Sequence, residues 1–570
     1  LFPSSSSSSS SHAKLRDLSI SELSLKKRGL QNKFSIENLN KAIEAAQQSL
    51  STIYNRYQLN ENIGKSFFFI SQNIDEKSYN FLKYQYARKF TNPGSEYLMI
   101  FGGSSVTAGH DNLYTQSYPE VIGRKLRPVL EALNVSTVVH NIAQGANNCF
   151  PSNYCYESMG GYDPDFVGWE QSFNCGRAPE FFDISTRFAL WSKNPGIIYF
   201  SQSGSVNGGK SCDASKVDPP RCREPWTPSL ESLPDWKPTK DDVKFWVSEL
   251  HRSFKELGST ASRFAGAPVA YQQKGAPIAY SGSAVWEDRD DKYCLNTGVP
   301  TKKCNVGYFL ETCNFLKFVT KELAEYGTGH GANWHPTVGT HLYRGELIAW
   351  MLLLTILDSL YMIKDDIEAG VILTANLHQK YTDKYESLYT LKSMPDPQTC
   401  GAASSLKSCA TKPNCFTDYH PHYAKNLSLS ELIVGNTSWE KILPDLLGAP
   451  IPDQEHIEGR PGYTATHGPR SGEIYFKVKI GQHDKMVVCA YHVPNLYASS
   501  EFHIELNVPE ERLNSNYKPG PDRKLWTHVS SVDGCSGLSN LPPGTHVVGL
   551  SSKINESKSQ AGLSHIITWN

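Results

Sequence analysis

From Ser35 to Arg88 apolar side chains return on one helical face: Leu39, Ile43, Ala46, Leu50 and Ile53 recur at steps of four and three. That spacing lines one side of an α-helix. Asn92-Pro93-Gly94 breaks the pattern, and the period then changes. Short apolar runs at Tyr97–Phe101, Ser136–Asn141, Asp165–Glu170, Gly196–Ser201 and Pro277–Ser281 read as strands. Between and after them, Ser117–Leu133, Pro179–Lys193, Asp241–Phe264, Tyr308–Tyr326 and Val338–Ile363 read as helices. Such alternation predicts a mainly parallel sheet with helices on both faces. From about Gly448 the runs shorten: Glu473–Ile480, Met486–His492, Glu501–Asn507, Trp526–Val529, Thr545–Leu550 and Ser564–Trp569. Pro509, Pro519-Gly520 and Pro542-Pro543-Gly544 punctuate them, a rhythm that predicts a β-sandwich.

These shifts divide the chain of 570 residues, too long for one core, into four regions. Residues 1–94 are a low-complexity segment, with the serine run Ser4–Ser11, and a helical extension packed on the next domain. Residues 95–370 form the α/β domain, 371–447 a cysteine-bearing connector, and 448–570 the sandwich. Ser205–Thr239, rich in Pro, Ser and Gly, reads as a long surface insertion in the α/β domain. Leu347–Ile363 is about as long as a membrane span, but it holds Asp358 and Ser359 and comes after Arg344 and Glu346. It reads as a core helix, and no transmembrane span is expected.

Charge narrows the functions. Lys+Arg (56) and Asp+Glu (57) nearly cancel, so no electrostatic case exists for a nucleic-acid partner or an anionic membrane surface. The 13 cysteines include no CxxC pair and fall largely in polar, loop-like sequence, which favours disulfides over zinc. The odd number leaves at least one free or bonded to another chain, and Cys489 and Cys535 are placed to staple the sandwich sheets. Asn-x-Ser/Thr sequons occur at Asn134, Asn426, Asn436 and Asn555. Together these features predict a secreted, disulfide-containing glycoprotein carrying N-linked glycans. Asp418-Tyr419-His420-Pro421-His422-Tyr423 sets two histidines near an acid, too few ligands for a metal site. It reads as an exposed loop, and neither metal nor cofactor is expected.

The candidate chemistry starts where the first α/β strand ends, at Gly102-Gly103-Ser104-Ser105-Val106-Thr107-Ala108-Gly109-His110. Ligands gather at the carboxyl ends of strands in open α/β sheets, and glycines let another molecule approach the backbone. A serine nucleophile needs a base, oxyanion donors and a geometry that holds them. The GxSxG elbow is absent. The chain has instead an ordered set of four blocks. Gly103-Ser104-Ser105-Val106-Thr107-Ala108-Gly109 is the first; Asn141-Ile142-Ala143-Gln144-Gly145-Ala146 comes after the second strand. Pro164–Asn174 spans the third strand, and Gly331-Ala332-Asn333-Trp334-His335-Pro336-Thr337-Val338-Gly339 leads into the apolar helix.

In that order the blocks resemble those of the SGNH (GDSL-type) hydrolases, whose first block is Gly-Asp-Ser-x-Thr-x-Gly. The resemblance covers roughly Ser95 to Ile363 and implies an SGNH-like three-layer α/β/α domain. It implies that Ser105 is the nucleophile and His335 its base. Gly145 would be an oxyanion-hole glycine, and Asn174 would lend its side-chain amide to the same hole. The chain departs from the family at Ser104, at Ser172 and, most consequentially, at Ala332, where the family carries aspartate three residues before the histidine. Loss of a triad carboxylate costs about 10⁴ in rate in a serine protease. A Ser–His dyad, with Asn333, a carbonyl or a distant carboxylate orienting His335, is one reading. A decayed site is the other.

Trp169 and Trp334, beside two proposed site residues, read as a sugar-binding wall or, more readily, as core or pocket packing; His110 and His330 read as loop histidines, and Glu170 sits inside the third strand with no role assigned. The implied activity is hydrolysis of carboxylic esters, with acyl groups on an extracellular glycan as the expected substrate and a lipid ester as the next. The alternative is an inactive SGNH-fold glycoprotein that binds glycan or self-assembles in a cell wall, matrix or extracellular filament.

Overall fold

A computed structural model describes residues 34–57, 76–110, 114–145, 149–171, 179–191, 197–201, 239–244, 269–273, 338–370, 375–390, 412–436, 439–442, 462–465, 473–481, 486–490, 501–508, 513, 524–527, 535–538, 541–553 and 562–569. Its α/β part runs α1 (Ile36–Tyr57), α2 (Glu76–Phe90), β1 (Glu96–Gly103), α3 (Tyr118–Ala132), β2 (Ser136–Asn141), β3 (Phe166–Glu170), α4 (Pro179–Trp191), β4 (Ile197–Ser201), β5 (Val269–Gln273), α5 (Val338–Glu368) and α6 (Ala375–Leu388). The five strands lie in the order β2-β1-β3-β4-β5, and every pairing is parallel. The sequence places the fifth strand at Pro277–Ser281, which lies outside the described residues. The strand that pairs with β4 is Val269–Gln273.

Alternation along β1 builds two cores. Tyr97, Met99 and Phe101 face one side, with the apolar faces of α1, α2, α3, α5 and α6. Leu98 and Ile100 face the other, as the two-residue period of a strand requires. The α1 stripe read from sequence is buried throughout: Leu39, Ile43, Ala46, Leu50 and Ile53 all join the first core. Helix α5 is buried nearly all round from Ile348 to Ile363, as an apolar helix must be in a folded core. None of the described helices is long and apolar enough to cross a membrane.

The C-terminal part contains β6 (Pro413–Thr417), β7 (Ile433–Asn436), β8 (Trp439–Ile442), β9 (Gly462–Ala465), β10 (Glu473–Ile480), β11 (Met486–Ala490), β12 (Glu501–Leu506), β13 (Lys524–Thr527), β14 (Cys535–Leu538), β15 (Gly544–Lys553) and β16 (Gly562–Trp569). One antiparallel sheet runs β13-β12-β15-β10-β7; the other runs β14-β11-β16-β9-β8, with β6 also on β16. Residues 413–442, read from sequence as part of a connector, therefore supply strands to both sheets.

Ile474, Phe476 and Val478 of the first sheet meet Met486, Val488 and Ile566 of the second in a shared core. The alternate residues Val487, Cys489, Ile567 and Trp569 turn outward into the second core of the α/β part, against Ile100, Val167, Trp169 and Phe188. The open face of the parallel sheet is thus covered jointly by α4 and by a β-sheet. A disulfide joins Cys155 to Cys415 across 260 residues at this junction. Cys489 and Cys535 do form a disulfide, but it ties the paired strands β11 and β14 of one sheet rather than stapling two sheets.

Candidate active site

Three parallel strands end together at Gly103. Its carbonyl accepts the backbone N–H of Gln144, from the loop after β2, at 3.2 Å. It also accepts the side-chain amide of Gln171, just after β3, at 3.2 Å. The next residue, Ser104, donates its N–H to the Glu170 carbonyl at 2.8 Å. The first three sequence blocks are therefore adjacent at the carboxyl edge of the sheet.

Ser105 opens a single helical turn, Ser105–Ala108. Ser104 caps it, its hydroxyl accepting from the Val106 N–H at 3.3 Å. Gly109 closes it at φ 88° and bonds back to the Ser105 and Val106 carbonyls; this left-handed conformation suits glycine. Asn141, the last residue of β2, donates to the Thr107 carbonyl at 2.8 Å and the Ser117 hydroxyl at 3.3 Å. Gly102, Gly103 and Ser104 are buried, whereas Ser105 and Val106 reach the surface. The turn is held from beneath, and Ser105 is partly exposed.

Close approach demands the glycines. A Cβ on Gly102 would lie 2.1 Å from the Tyr156 phenol oxygen, and one on Gly145 would lie 1.9 Å from the His110 ring. His110 is 3% exposed, so this ring packs under Gly145 rather than lying in an open loop. Burial pushes the Tyr156 phenol well above its usual range, so it remains protonated beside the turn.

Glu170 is fully buried. Its Oε2 accepts the Ser104 hydroxyl at 2.7 Å and the Thr107 hydroxyl at 3.0 Å. Sequence marks it only by placing an acid in an apolar strand, which is rare without a partner. Trp169 is also buried and donates its indole N–H to Asn153 at 3.3 Å. It is core packing and forms no sugar-binding wall. His335, Asn174, Trp334 and His330 lie outside the described residues. Helix α5 begins at Val338, three residues past His335, and its His341 accepts the Tyr118 N–H through Nδ1 at 3.2 Å.

The β part reaches this edge as well. The Gln144 side chain, one residue before Gly145, donates to the His420 carbonyl at 2.6 Å. Tyr423 stacks on His140 with ring centroids 3.3 Å apart. Asp418 of the same loop is buried and neutralised by Lys441 at 2.9 Å, and it also accepts the Ser428 hydroxyl and the Tyr463 phenol. Burial alone would raise its pKa, but the Ser428 and Lys441 interactions hold it below the usual carboxylate value. The Asp418–Tyr423 stretch is thus a docking loop, and no cluster able to hold a metal occurs among the described residues.

No family model matches the chain, and no curated protein matches it. Two solved structures resemble it at 12% identity and a TM-score of 0.37. One is a two-domain esterase (CEX) active on acetylated mannans, matched over 88% of this chain and 98% of its own. The other is that esterase co-crystallized with mannopentaose, matched over 88% of this chain and 96% of its own. At that score the likeness carries no weight for fold or activity, and the functional reading rests on the residues.

Proposed function

We propose that the chain is a secreted, SGNH-like serine esterase that hydrolyses carboxylic esters, its substrate being acyl groups on an extracellular glycan. One observation carries the reading: three strand ends converge on the Gly103 carbonyl around a partly exposed Ser105 held in a capped turn. Strand ends of this kind are where open α/β sheets gather ligands. The ordered blocks add the rest of the machinery. Ser105 attacks the ester carbonyl as His335 takes its proton. The N–H groups of Ser105 and Gly145, with the Asn174 amide, hold the oxyanion. His335 returns the proton to the leaving alcohol, and water, activated by the same histidine, then releases the acid.

Disulfides suit an oxidising compartment, and the sequons Asn426 and Asn436 lie on exposed residues. With Asn134 and Asn555 they are the proposed glycan attachment sites. Ala332 favours the second reading, an inactive glycan-binding or self-assembling component. A panel of acetylated glycans, including an acetylated mannan, separates the two: the esterase releases acetate and Ser105→Ala does not. Binding of glycan without release of acid by the native glycoprotein supports the second reading instead.

A further inference from the structure

Glu170 ends β3, and a fully buried carboxylate is costly unless hydrogen bonds compensate it. Among the described residues, every bond its side chain accepts comes from the nucleophile turn. Oε2 receives the Ser104 hydroxyl at 2.7 Å, the Thr107 hydroxyl at 3.0 Å and the Ser104 N–H at 3.4 Å. Ser104 and Thr107 lie on either side of Ser105. Oε1 has no hydrogen-bond partner among the described residues.

The bonds continue beyond the turn. Thr107 has given its one hydroxyl proton to Glu170, so the 2.9 Å contact with Tyr118 is a phenol donating to Thr107. The Tyr118 backbone N–H donates to His341 Nδ1 at 3.2 Å. His341 lies six residues past His335, on α5. Hydrogen bonds thus tie β3 to the turn and the turn to Tyr118, whose backbone in turn holds His341 on the helix that comes after the candidate base. Buried hydrogen bonds that share partners stiffen one another.

We propose that Glu170 is a positioning residue for the nucleophile: its buried carboxylate, bonded to the Ser104 and Thr107 hydroxyls on both sides of Ser105, aims the Ser105 hydroxyl. The inference rests on the esterase reading of the same site. A misplacement of about 1 Å costs on the order of 100-fold in rate, so losing the carboxylate acts on the chemical step more than on binding.

The test compares Glu170→Leu, Glu170→Gln and Thr107→Val with the wild-type glycoprotein. The readouts are the rate of fluorophosphonate labelling of Ser105, kcat and KM on p-nitrophenyl acetate, and the thermal midpoint. Glu170→Leu should slow labelling and lower kcat by about 100-fold, with KM within about 2-fold. Glu170→Gln keeps the shape and an acceptor oxygen and should recover to within about 10-fold of wild type. Thr107→Val, which removes one donor without changing volume, should cost about 10-fold. If the leucine variant does not fold, the Gln and Val variants decide. Should those two lower the midpoint while labelling and kcat stay at wild-type values, Glu170 is structural only and the inference is overturned. A wild type labelled on Ser105 separates that failure from failure of the esterase reading; an unlabelled, inert wild type removes both.

Discussion

Gly145 has no room for a side chain. The nearest atom to an added Cβ is the buried His110 ring, at 1.9 Å, and the His110 N–H is bonded to the Ser105 carbonyl at 3.1 Å. A methyl group there pushes the candidate oxyanion loop and the nucleophile turn apart. Gly145→Ala should lower kcat by about 10- to 100-fold and cost about 1–3 kcal/mol of stability, read from esterase kinetics and thermal unfolding. Wild-type activity in that variant contradicts the packing described. Gly145 is legible in the sequence only through the family resemblance of its block. Glu170 and His110 are visible as residue types but not as partners, because Ser104, Thr107 and Gly145 meet them only after the sheet forms.

At the scale of elements, the docking loop Asp418–Tyr423 carries a pH dependence. Burial lowers the His422 pKa from 6.5; Asp418 opposes this, and His420 and Lys441 add to it. A depressed histidine pKa means that the unfolded chain binds the proton more tightly. The stability His422 contributes is therefore complete above pH 6.5 and is lost as pH falls through the folded value. Thermal midpoints between about pH 8 and pH 5 should fall further for wild type than for His422→Gln; parallel profiles contradict the assignment.

Elements whose own residues decide them are readable from sequence, such as the α1 stripe and β10, whose bounds Glu473–Ile480 match the run read from sequence. Elements decided by remote partners are not. Ala267-Pro268-Val269-Ala270-Tyr271 and Ala276-Pro277-Ile278-Ala279-Tyr280 are near copies; Val269–Gln273, which begins within the first, pairs with β4, and the second lies outside the described residues. The short strands likewise take their identity from their partners: β6 and β9 from β16, β7 from β10, and β8 from β9.

Across the whole molecule, the sandwich is built into the α/β part. Val487, Cys489, Ile567 and Trp569 share its second core, the Cys155–Cys415 disulfide closes a long loop across the junction, and the Gln144 amide reaches the His420 carbonyl beside the candidate oxyanion glycine. Replacing Cys155 and Cys415 together by alanine should cost about 2–5 kcal/mol in denaturant unfolding and lower esterase activity as the docking loop loosens. Unchanged stability and activity contradict a structural role for this junction. The junction is not legible in the sequence, where the outward residues of β11 and β16 look like any half-buried strand.

The central claim is that Ser105 is an activated nucleophile. The most direct measurement is fluorophosphonate labelling of the native glycoprotein with subsequent peptide mapping. One adduct is expected, on Ser105, absent in Ser105→Ala and strongly reduced in His335→Ala. An unlabelled Ser105, or an adduct that forms equally well without His335, contradicts the account.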